Sequence, residues 1–142
     1  MVLLCAHIVR RSLLEISRSK VELLENGSKL TANEKKLARK IGIKNVDKIR
    51  VMYVNEFPFP KDKHLAELAR SIGFDSPFMG GFTFGYGVYI RNGEEQLLAH
   101  ELIHVRQYEN MGIDAFMTRY MLELAVMGYR SAPLEVEAYN ES

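Results

Sequence analysis

The stretch Leu97-Leu98-Ala99-His100-Glu101-Leu102-Ile103-His104-Val105-Arg106-Gln107-Tyr108 decides the fold of this chain. Its apolar residues recur at positions 97, 98, 102, 105 and 108, which is the spacing of one face of an α-helix. Glu94 and Glu95 suit the positive end of such a helix, and Gly112 is a left-handed terminator of the kind that ends one. The sequence therefore predicts a half-buried amphipathic helix that begins after Asn92-Gly93 and ends near residue 112.

Two histidines on this predicted helix, His100 and His104, are four residues apart and therefore lie on one face, one turn from each other. That spacing places both imidazoles within reach of a single Zn²⁺, with Glu101 on the side where a metal-bound water would stand. Zinc lowers the pKa of bound water to about 7, and a neighbouring carboxylate can take the proton and pass it to a leaving amine. The pattern indicates a catalytic zinc site. It also occurs by chance in ordinary helices, where such histidines are core residues.

The chain must supply a third ligand, because a catalytic zinc is held by three protein groups and a water. No histidine or cysteine follows His104, so the third ligand is expected to be a carboxylate. Downstream, Ile113 to Met127 forms a second amphipathic run closed by Gly128, and Pro133 suits the first turn of a third helix. The sequence thus predicts a zinc-binding section of three helices from residue 93 to residue 142.

Two glutamates early in the third predicted helix, Glu135 and Glu137, are the candidates for this ligand. A helical hairpin is long enough to return either of them beside the histidines, and either could instead be a solvated carboxylate at a helix start. Glu109 lies on the first helix but off the face of the histidines, and Glu123 lies midway along the second helix. Both are therefore poorer candidates.

The second half of the chain resembles a known group of enzymes. The His-Glu-x-x-His pattern followed by a carboxylate on a later helix resembles the gluzincin zinc metallopeptidases. More closely, Gly81-Phe82-Thr83, Gly87-Val88-Tyr89-Ile90 and Leu98 to Gln107 resemble the small metallopeptidase domain found in bacterial contractile-injection-system proteins. The resemblance is strongest from residue 81 to residue 108.

This resemblance implies both histidines as zinc ligands, Glu101 as general base and a helix-borne glutamate as the third ligand. In gluzincins the last helix often reads Glu-x-x-Ala-Asp with the first glutamate on zinc, which favours Glu135 over Glu137. Tyr139 departs from that pattern, since it stands where an aspartate would brace a ligand histidine. The bracing group is therefore left unassigned.

Peptide hydrolysis also needs a donor for the oxyanion that develops in the transition state. Tyr108 is the first candidate, because it lies one turn past His104 on the same face of the predicted helix. The further candidates are Tyr120, Tyr129, Tyr139 and Arg106.

The residues before the histidine helix predict alternating helices and strands. Thr31 and Glu34 form a capping box that begins a helix, with Leu37, Ala38 and Ile41 inward and Gly42 at its end. A strand is predicted from Lys48 to Asn55, a helix from Lys61 to Ile72, and glycine-linked strands from Gly80 to Arg91. This order predicts an α+β fold, a mostly helical minimal zincin-like domain with a small β-sheet beside the histidine helix. Residues 82 to 91 are the expected edge strand to which an extended peptide substrate would add.

Length and composition set the bounds around this site. With 142 residues, 47% of them hydrophobic, the chain is expected to form one domain with a sizeable core. Residues 1–30 would be its N-terminal helix and residues 31–92 its helix and strand section. A net charge of +1 gives no electrostatic reason for nucleic-acid binding. Cys5, the single cysteine, cannot form an internal disulfide.

The N-terminus is apolar from Met1 to Val9 and is followed by Arg10-Arg11. A secretory signal carries its charge before the apolar run, and this run is too short to span a bilayer, so a cytoplasmic location is expected. Residues 1 to 26 are predicted to form one helix that Gly27 ends. That helix would pack on the catalytic half or on a second copy of the chain, as a homo-oligomer.

The sequence thus predicts a zinc-dependent metallopeptidase acting on a peptide or protein substrate. Two other classes of function remain open at this point. The domain could bind zinc without proteolytic activity and act as an adaptor that presents its helical surface to a partner, or it could hydrolyse a small amide.

Overall fold

A computed structural model of the chain describes residues 22–57, 61–71 and 79–142. The described part is an α+β fold, mostly helical, as predicted. Residues 22–26 are helical, and short 3₁₀ turns occupy Val46–Lys48, Glu95–Leu97 and Tyr129–Ser131. The longer elements follow in the order α1 (Ala32–Ile41), β1 (Arg50–Val54), α2 (Lys63–Ser71), β2 (Gly81–Phe84), β3 (Gly87–Arg91), α3 (Leu98–Met111), α4 (Ile113–Met127) and α5 (Pro133–Glu141).

The sheet has the strand order β1-β3-β2. β1 runs parallel to β3, with Val51 opposite Val88, and β2 runs antiparallel to β3. A turn at Gly85-Tyr86 joins β2 to β3, and it needs glycine because φ is 59° at Gly85. The prediction that residues 82 to 91 form an edge strand is therefore wrong for residues 87–91, because β3 is paired on both sides. Within the described residues, β2 is the edge strand nearer to α3.

Helix α3 packs on this sheet through its apolar face. Leu102 and Val105 are fully buried, and they share a core with Val51, Val88 and Ile90 of the strands. The predicted helix is confirmed, but the prediction that it is half-buried is wrong. Nine of its residues are buried, because the sheet, α1, α4 and α5 all contact it.

The two later helices fold back on α3, α4 with the predicted bounds and α5 with the predicted start. Gly112 ends α3 with a φ of 85°, but its ψ of 161° is extended and not left-handed helical, since the chain turns at once into α4. Gly128 ends α4, and Pro133 occupies the first turn of α5. A second apolar core joins α3, α4 and α5 to β2, and consists of Phe84, Tyr108, Phe116, Met117 and Leu134.

The elements before β2 lie where the sequence predicted them, but their bounds and buried residues differ in part from the prediction. The capping box of Thr31 and Glu34 is confirmed, as is the end of α1 at Gly42. Leu37 was predicted to be inward and is exposed instead, because α1 packs on the core through Ala38. β1 is shorter than predicted at both ends, and α2 begins two residues later than predicted. The inward positions predicted for α2, Leu65, Leu68 and Ala69, lie outside the described side chains.

The predicted N-terminal helix is described only in its last turn. Residues 22–26 are helical, and the Gly27 amide donates to the carbonyl of Leu23, whose side chain is buried. The rest of that helix, Cys5 and the predicted contact with a second copy lie outside the described residues. Among the helices that are described, none combines the length and the apolar character needed to cross a membrane.

Candidate metal centre

Three side chains from two helices meet between α3 and α5. His100 and His104 come from α3, and Glu135 comes from the first turn of α5. The Nε2 atom of His100 lies 3.1 Å from Glu135 Oε2, and the Nε2 atom of His104 lies 3.3 Å from Glu135 Oε1. The two Nε2 atoms are 3.2 Å apart. The structure thus brings together the three residues that the sequence selected, with Glu135 and not Glu137 beside the histidines.

The separation of the two Nε2 atoms, and the distance from each of them to an oxygen of Glu135 (a different oxygen for each histidine), are close to those between ligands of one tetrahedral ion. Ligands at zinc–nitrogen and zinc–oxygen distances of about 2.0–2.1 Å stand about 3.3 Å from each other at the corners of a tetrahedron. All three side chains are almost fully buried, with exposed fractions of 5% for His100, 6% for His104 and 2% for Glu135. The buried cluster can therefore hold a metal ion.

The tautomer of His104 is fixed by a glutamine on the same helix. His104 Nδ1 lies 2.8 Å from Gln107 Oε1, and the Gln107 amide nitrogen donates to the carbonyl of Leu134. With the amide so oriented its oxygen can only accept, so the proton of a neutral imidazole is on Nδ1. The Nε2 lone pair then faces His100 and Glu135, as metal binding requires.

His100 is held differently. Its Nε2 atom faces Glu135, while its buried Nδ1 atom has no hydrogen-bond partner among the described residues. Tyr139 stands where the resemblance implied a bracing aspartate, and its ring lies 4.4 Å from the His100 ring, centroid to centroid. This contact is packing between two rings. The hydrogen bond that orients a histidine of the cluster through its Nδ1 atom therefore joins Gln107 to His104, and not an acid to His100.

Glu135 receives a further hydrogen bond from α4. The Tyr120 hydroxyl donates to Glu135 Oε1 at 2.7 Å. Burial raises the pKa of Glu135, but the hydrogen bonds with His100, His104 and Tyr120 outweigh burial and hold that pKa well below its usual range. Burial and the charge of Glu135 raise the pKa of Tyr120 well above its ordinary value, so this hydroxyl remains a donor.

The electrostatics of the cluster favour a cation. Burial lowers the pKa of His104, but its hydrogen bond to Glu135 and the charges of Glu101 and Glu135 outweigh burial and raise that pKa to about 9. The same carboxylates that attract a proton attract a metal ion, which competes for the same nitrogen.

Glu101 is buried beside the cluster, with an exposed fraction of 4%. One carboxylate oxygen, Oε2, accepts a hydrogen bond of 2.5 Å from the Thr83 hydroxyl on β2. Burial raises the pKa of Glu101, while the charge of His104 and the Thr83 hydrogen bond act in the opposite direction. A carboxyl group with a raised pKa is suited to take up and release a proton.

The other carboxylates considered from the sequence have structural partners. Glu137 pairs with Arg106 at 2.8 Å. Glu109 accepts from the backbone amides of residues 44 and 45 and from the Tyr86 hydroxyl. Glu123 accepts from the Leu134 amide at 2.9 Å, one residue before Glu135. Neither Glu109 nor Glu123 belongs to the cluster.

The predicted oxyanion donor, Tyr108, forms its hydrogen bond away from the cluster. Its hydroxyl donates to Met117 Sδ at 3.1 Å, and its ring stacks on Phe116 with centroids 3.7 Å apart. This tyrosine is therefore part of the apolar core between α3 and α4. The hydroxyl that the structure brings to the cluster is that of Tyr120, one of the four alternatives.

Sequence reasoning did not assign the roles of Gln107 and Thr83. Gln107 had a local signal, because it lies one turn past His104 on the same helix. Thr83 had none, since its contact with Glu101 depends on how β2 packs on α3. No protein-family model, curated protein or solved structure matches this chain.

Proposed function

We propose that this chain is a zinc-dependent peptidase, in which His100, His104 and Glu135 hold the metal and Glu101 is the general base. One observation carries the proposal. The two imidazole Nε2 atoms stand 3.2 Å apart, and each faces a different oxygen of the Glu135 carboxylate, at 3.1 Å from His100 and 3.3 Å from His104. Three buried donor side chains of a zinc ligand set therefore meet at one place, and a buried carboxylate follows the first ligand directly in the chain.

The chemistry of the donor set supports zinc over other divalent ions. Two imidazole nitrogens and one carboxylate oxygen are a known ligand set of catalytic zinc, which keeps its fourth position open for water or substrate. Magnesium and calcium prefer all-oxygen sites with six or more ligands. A site of two nitrogens and one oxygen is poorly suited to either.

Glu101 would carry the proton in peptide hydrolysis. Zinc, when bound, lowers the pKa of a coordinated water to about 7 and polarises the carbonyl of the substrate. Glu101 takes a proton from the attacking water and then gives it to the nitrogen of the leaving amine. Its burial raises its pKa, which favours the step in which it holds that proton. Tyr120 keeps Glu135 oriented through the bond to Oε1.

The edge strand β2 suggests how a peptide would be held. An extended peptide that pairs with an edge strand gains main-chain hydrogen bonds with little demand on its sequence. β2 carries Thr83, which contacts Glu101 directly, so a peptide on this edge would lie close to the base. This supports a peptide substrate over a small amide.

One observation favours a second candidate, a zinc-binding adaptor without proteolytic activity. The three residues of the cluster and Glu101 beside it are all nearly inaccessible to solvent, as in a closed structural zinc site. Several apolar side chains of α4, including Leu122 and Val126, are exposed and could contact a partner protein.

The two candidates differ in the effect of Glu101→Gln. For the peptidase, wild-type protein should contain one zinc per chain and cleave unfolded casein. Glu101→Gln should keep its zinc and lose about 10²- to 10⁴-fold in cleavage rate. Glu67→Gln, at an exposed position on α2, is the matched control and should cleave like wild type.

Metal content by mass spectrometry and cleavage by gel and peptide mass are the two measurements. Full zinc occupancy without cleavage of casein or a peptide library by wild type would favour the adaptor. Absence of stoichiometric metal would exclude both readings of the site.

A further inference from the structure

The carboxylate of Glu101 lies against one face of strand β2. Its two contacts there are Gly81 and Thr83, which are two residues apart and so face the same side of the strand. The strand is short, Gly81–Phe84, and it packs directly on α3. Half of β2 is thus in contact with the residue that the proposed reaction needs as its base.

Gly81 makes room for this carboxylate. A Cβ atom at position 81 would stand 2.4 Å from Glu101 Oε1, 2.8 Å from its Cδ and 2.9 Å from its Cγ. Gly81 is part of a regular strand, and it is not among the glycines with positive φ. Glycine is therefore needed here because of the space that Glu101 occupies, and not because of backbone conformation.

Thr83 fixes the other side of the same carboxylate. Its hydroxyl has one proton, which it donates to Glu101 Oε2 at 2.5 Å, while the backbone carbonyl of Glu101 is farther away at 3.3 Å. Thr83 is buried, so water does not readily replace it as a donor. The Thr83 bond fixes Oε2, and Oε1 lies against Gly81, so β2 sets the positions of both carboxylate oxygens.

We propose that Gly81 and Thr83 are positioning residues for the general base, and that together they hold the Glu101 carboxylate in the orientation in which it serves the reacting water. This inference rests on the proposed peptidase function. It adds that the edge strand has two roles, because the strand on which an extended peptide would pair also sets the orientation of the base.

A purely structural role for Thr83 predicts a different result. A threonine that only satisfies a buried carboxylate would affect folding and metal content when it is replaced, and would leave turnover per zinc-loaded molecule unchanged. Thr83→Val keeps the shape and removes the donor. Thr83→Ser keeps the donor and removes a methyl group, and is its matched control.

The first experiment measures kcat, KM and bound zinc for the zinc-loaded full chain with a fluorogenic peptide. We expect Thr83→Val to lose about 10- to 100-fold in kcat, the rate equivalent of one hydrogen bond to a charged group. Its KM and zinc content should match those of wild type. Thr83→Ser should retain most of the wild-type kcat. An equal kcat for Thr83→Val and wild type, or an equal loss for both variants, would overturn the inference.

The second experiment measures folding and does not depend on activity. Gly81→Ala should lower the thermal midpoint of the wild-type chain, because the new Cβ displaces the Glu101 carboxylate. In a Glu101→Ala background that carboxylate is gone, so the same change should have much less effect. Equal effects in both backgrounds would show that Gly81 does not accommodate Glu101, and this would overturn the inference even if Thr83→Val failed to fold.

The two levels of the proposal fail in distinguishable ways. If zinc-loaded wild type cleaves nothing, the peptidase function fails and the positioning role fails with it. If wild type cleaves but Thr83→Val cleaves as fast, only the positioning role fails.

Discussion

At the scale of single residues, the centre depends on hydrogen bonds that orient its ligands. Gln107 holds His104 through Nδ1, and Tyr120 holds Glu135 through Oε1. Each of these bonds fixes a lone pair toward the shared focus, and partners of this kind typically contribute a factor of about 10 to 100 in metal affinity. The ligands alone therefore do not account for the site.

The two buried tyrosines near the centre give a matched test of this view. Tyr120→Phe removes the hydroxyl that donates to Glu135, and should weaken zinc binding by about 10- to 100-fold. Tyr108→Phe removes a hydroxyl that donates to Met117 Sδ, away from the cluster, and should leave zinc affinity unchanged. Competition with a chromophoric chelator measures both. A larger loss for Tyr108→Phe would restore it as the tyrosine that serves the site.

The three residues of the cluster could be predicted from the sequence, and the side chains that hydrogen-bond to them could not, for a physical reason. His100 and His104 are one helical turn apart, so their shared face follows from local geometry alone. The choice of Glu135 over Glu137 needed a further signal, the sequence pattern of the last helix in gluzincins. The bond from Thr83 to Glu101 joins a strand to a helix, and the choice between Tyr108 and Tyr120 depends on which side of α4 faces α5. Such contacts depend on how the elements pack, and the residues next to them in the sequence do not indicate them.

At the scale of elements, the position of α5 decides whether Glu135 reaches the histidines. Glu135 lies in the first turn of α5, where backbone amides lack partners within the helix and Pro133 has no N–H to donate. Glu123, on the neighbouring helix α4, accepts from the Leu134 amide and is itself buried. A carboxylate at this end of a helix also interacts favourably with the helix dipole. One glutamate that was a poor ligand candidate thus fixes the helix that carries the ligand.

Removing this interaction should affect both folding and metal binding. Glu123→Met leaves the buried Leu134 amide without its acceptor, and should lower the free energy of unfolding by about 1–2 kcal/mol. Zinc affinity should fall as well, because the first turn of α5 carries Glu135. Urea unfolding and zinc titration are the measurements.

Arg119→Gln is the control for the ion pair that Glu123 also makes. Arg119 pairs with Glu123 at 2.6 Å, but half of its side chain is exposed, so this pair should contribute no more than about 1 kcal/mol. If Arg119→Gln weakened zinc binding as much as Glu123→Met, the ion pair and not the bond to α5 would be responsible.

The bounds of an element were predicted best where a local sequence signal, such as glycine or proline, was strong. α4 begins and ends beside the glycines that predicted its bounds, and α5 begins at the predicted proline, since these residues act on the backbone itself. The burial of α3 and of Leu37 was predicted less well, because burial depends on which neighbours cover a helix. Likewise, the aromatic and β-branched residues of β3 indicated a strand but could not indicate that its partners lie on both sides.

At the scale of the whole molecule, Glu109 joins parts of the chain that are far apart in sequence. It lies near the end of α3, and it accepts from the amides of Lys44 and Asn45, which follow α1. It also accepts from the Tyr86 hydroxyl at the turn between β2 and β3. One carboxylate thus links α3, which carries the histidines, both to the chain that follows α1 and to the sheet. It lies on the side of α3 away from His100 and His104.

The charge of Glu109 makes this tie dependent on pH. Burial raises the pKa of Glu109, but the hydrogen bonds from Lys44, Tyr86 and Asn45 outweigh it and hold that pKa below its ordinary value of 4.5. The ionised form is therefore favoured in the folded chain. Its contribution to stability is fully present above the ordinary pKa and is lost as the pH falls through the lowered pKa of the folded state.

Glu109→Gln should therefore destabilise the chain in a way that depends on pH. At pH 7 the variant should unfold at lower urea concentration than wild type, because it lacks the charge that strengthens the bonds to the two amides. The difference in unfolding free energy should shrink as the pH is lowered from about 5 toward 3 and Glu109 becomes protonated in the wild type. Carboxylates that titrate in both proteins cancel in this difference, and Glu56→Gln, at an exposed position, should show little difference at any pH. A difference between Glu109→Gln and wild type that stayed constant across this range would mean that Glu109 acts through its shape and not through its charge.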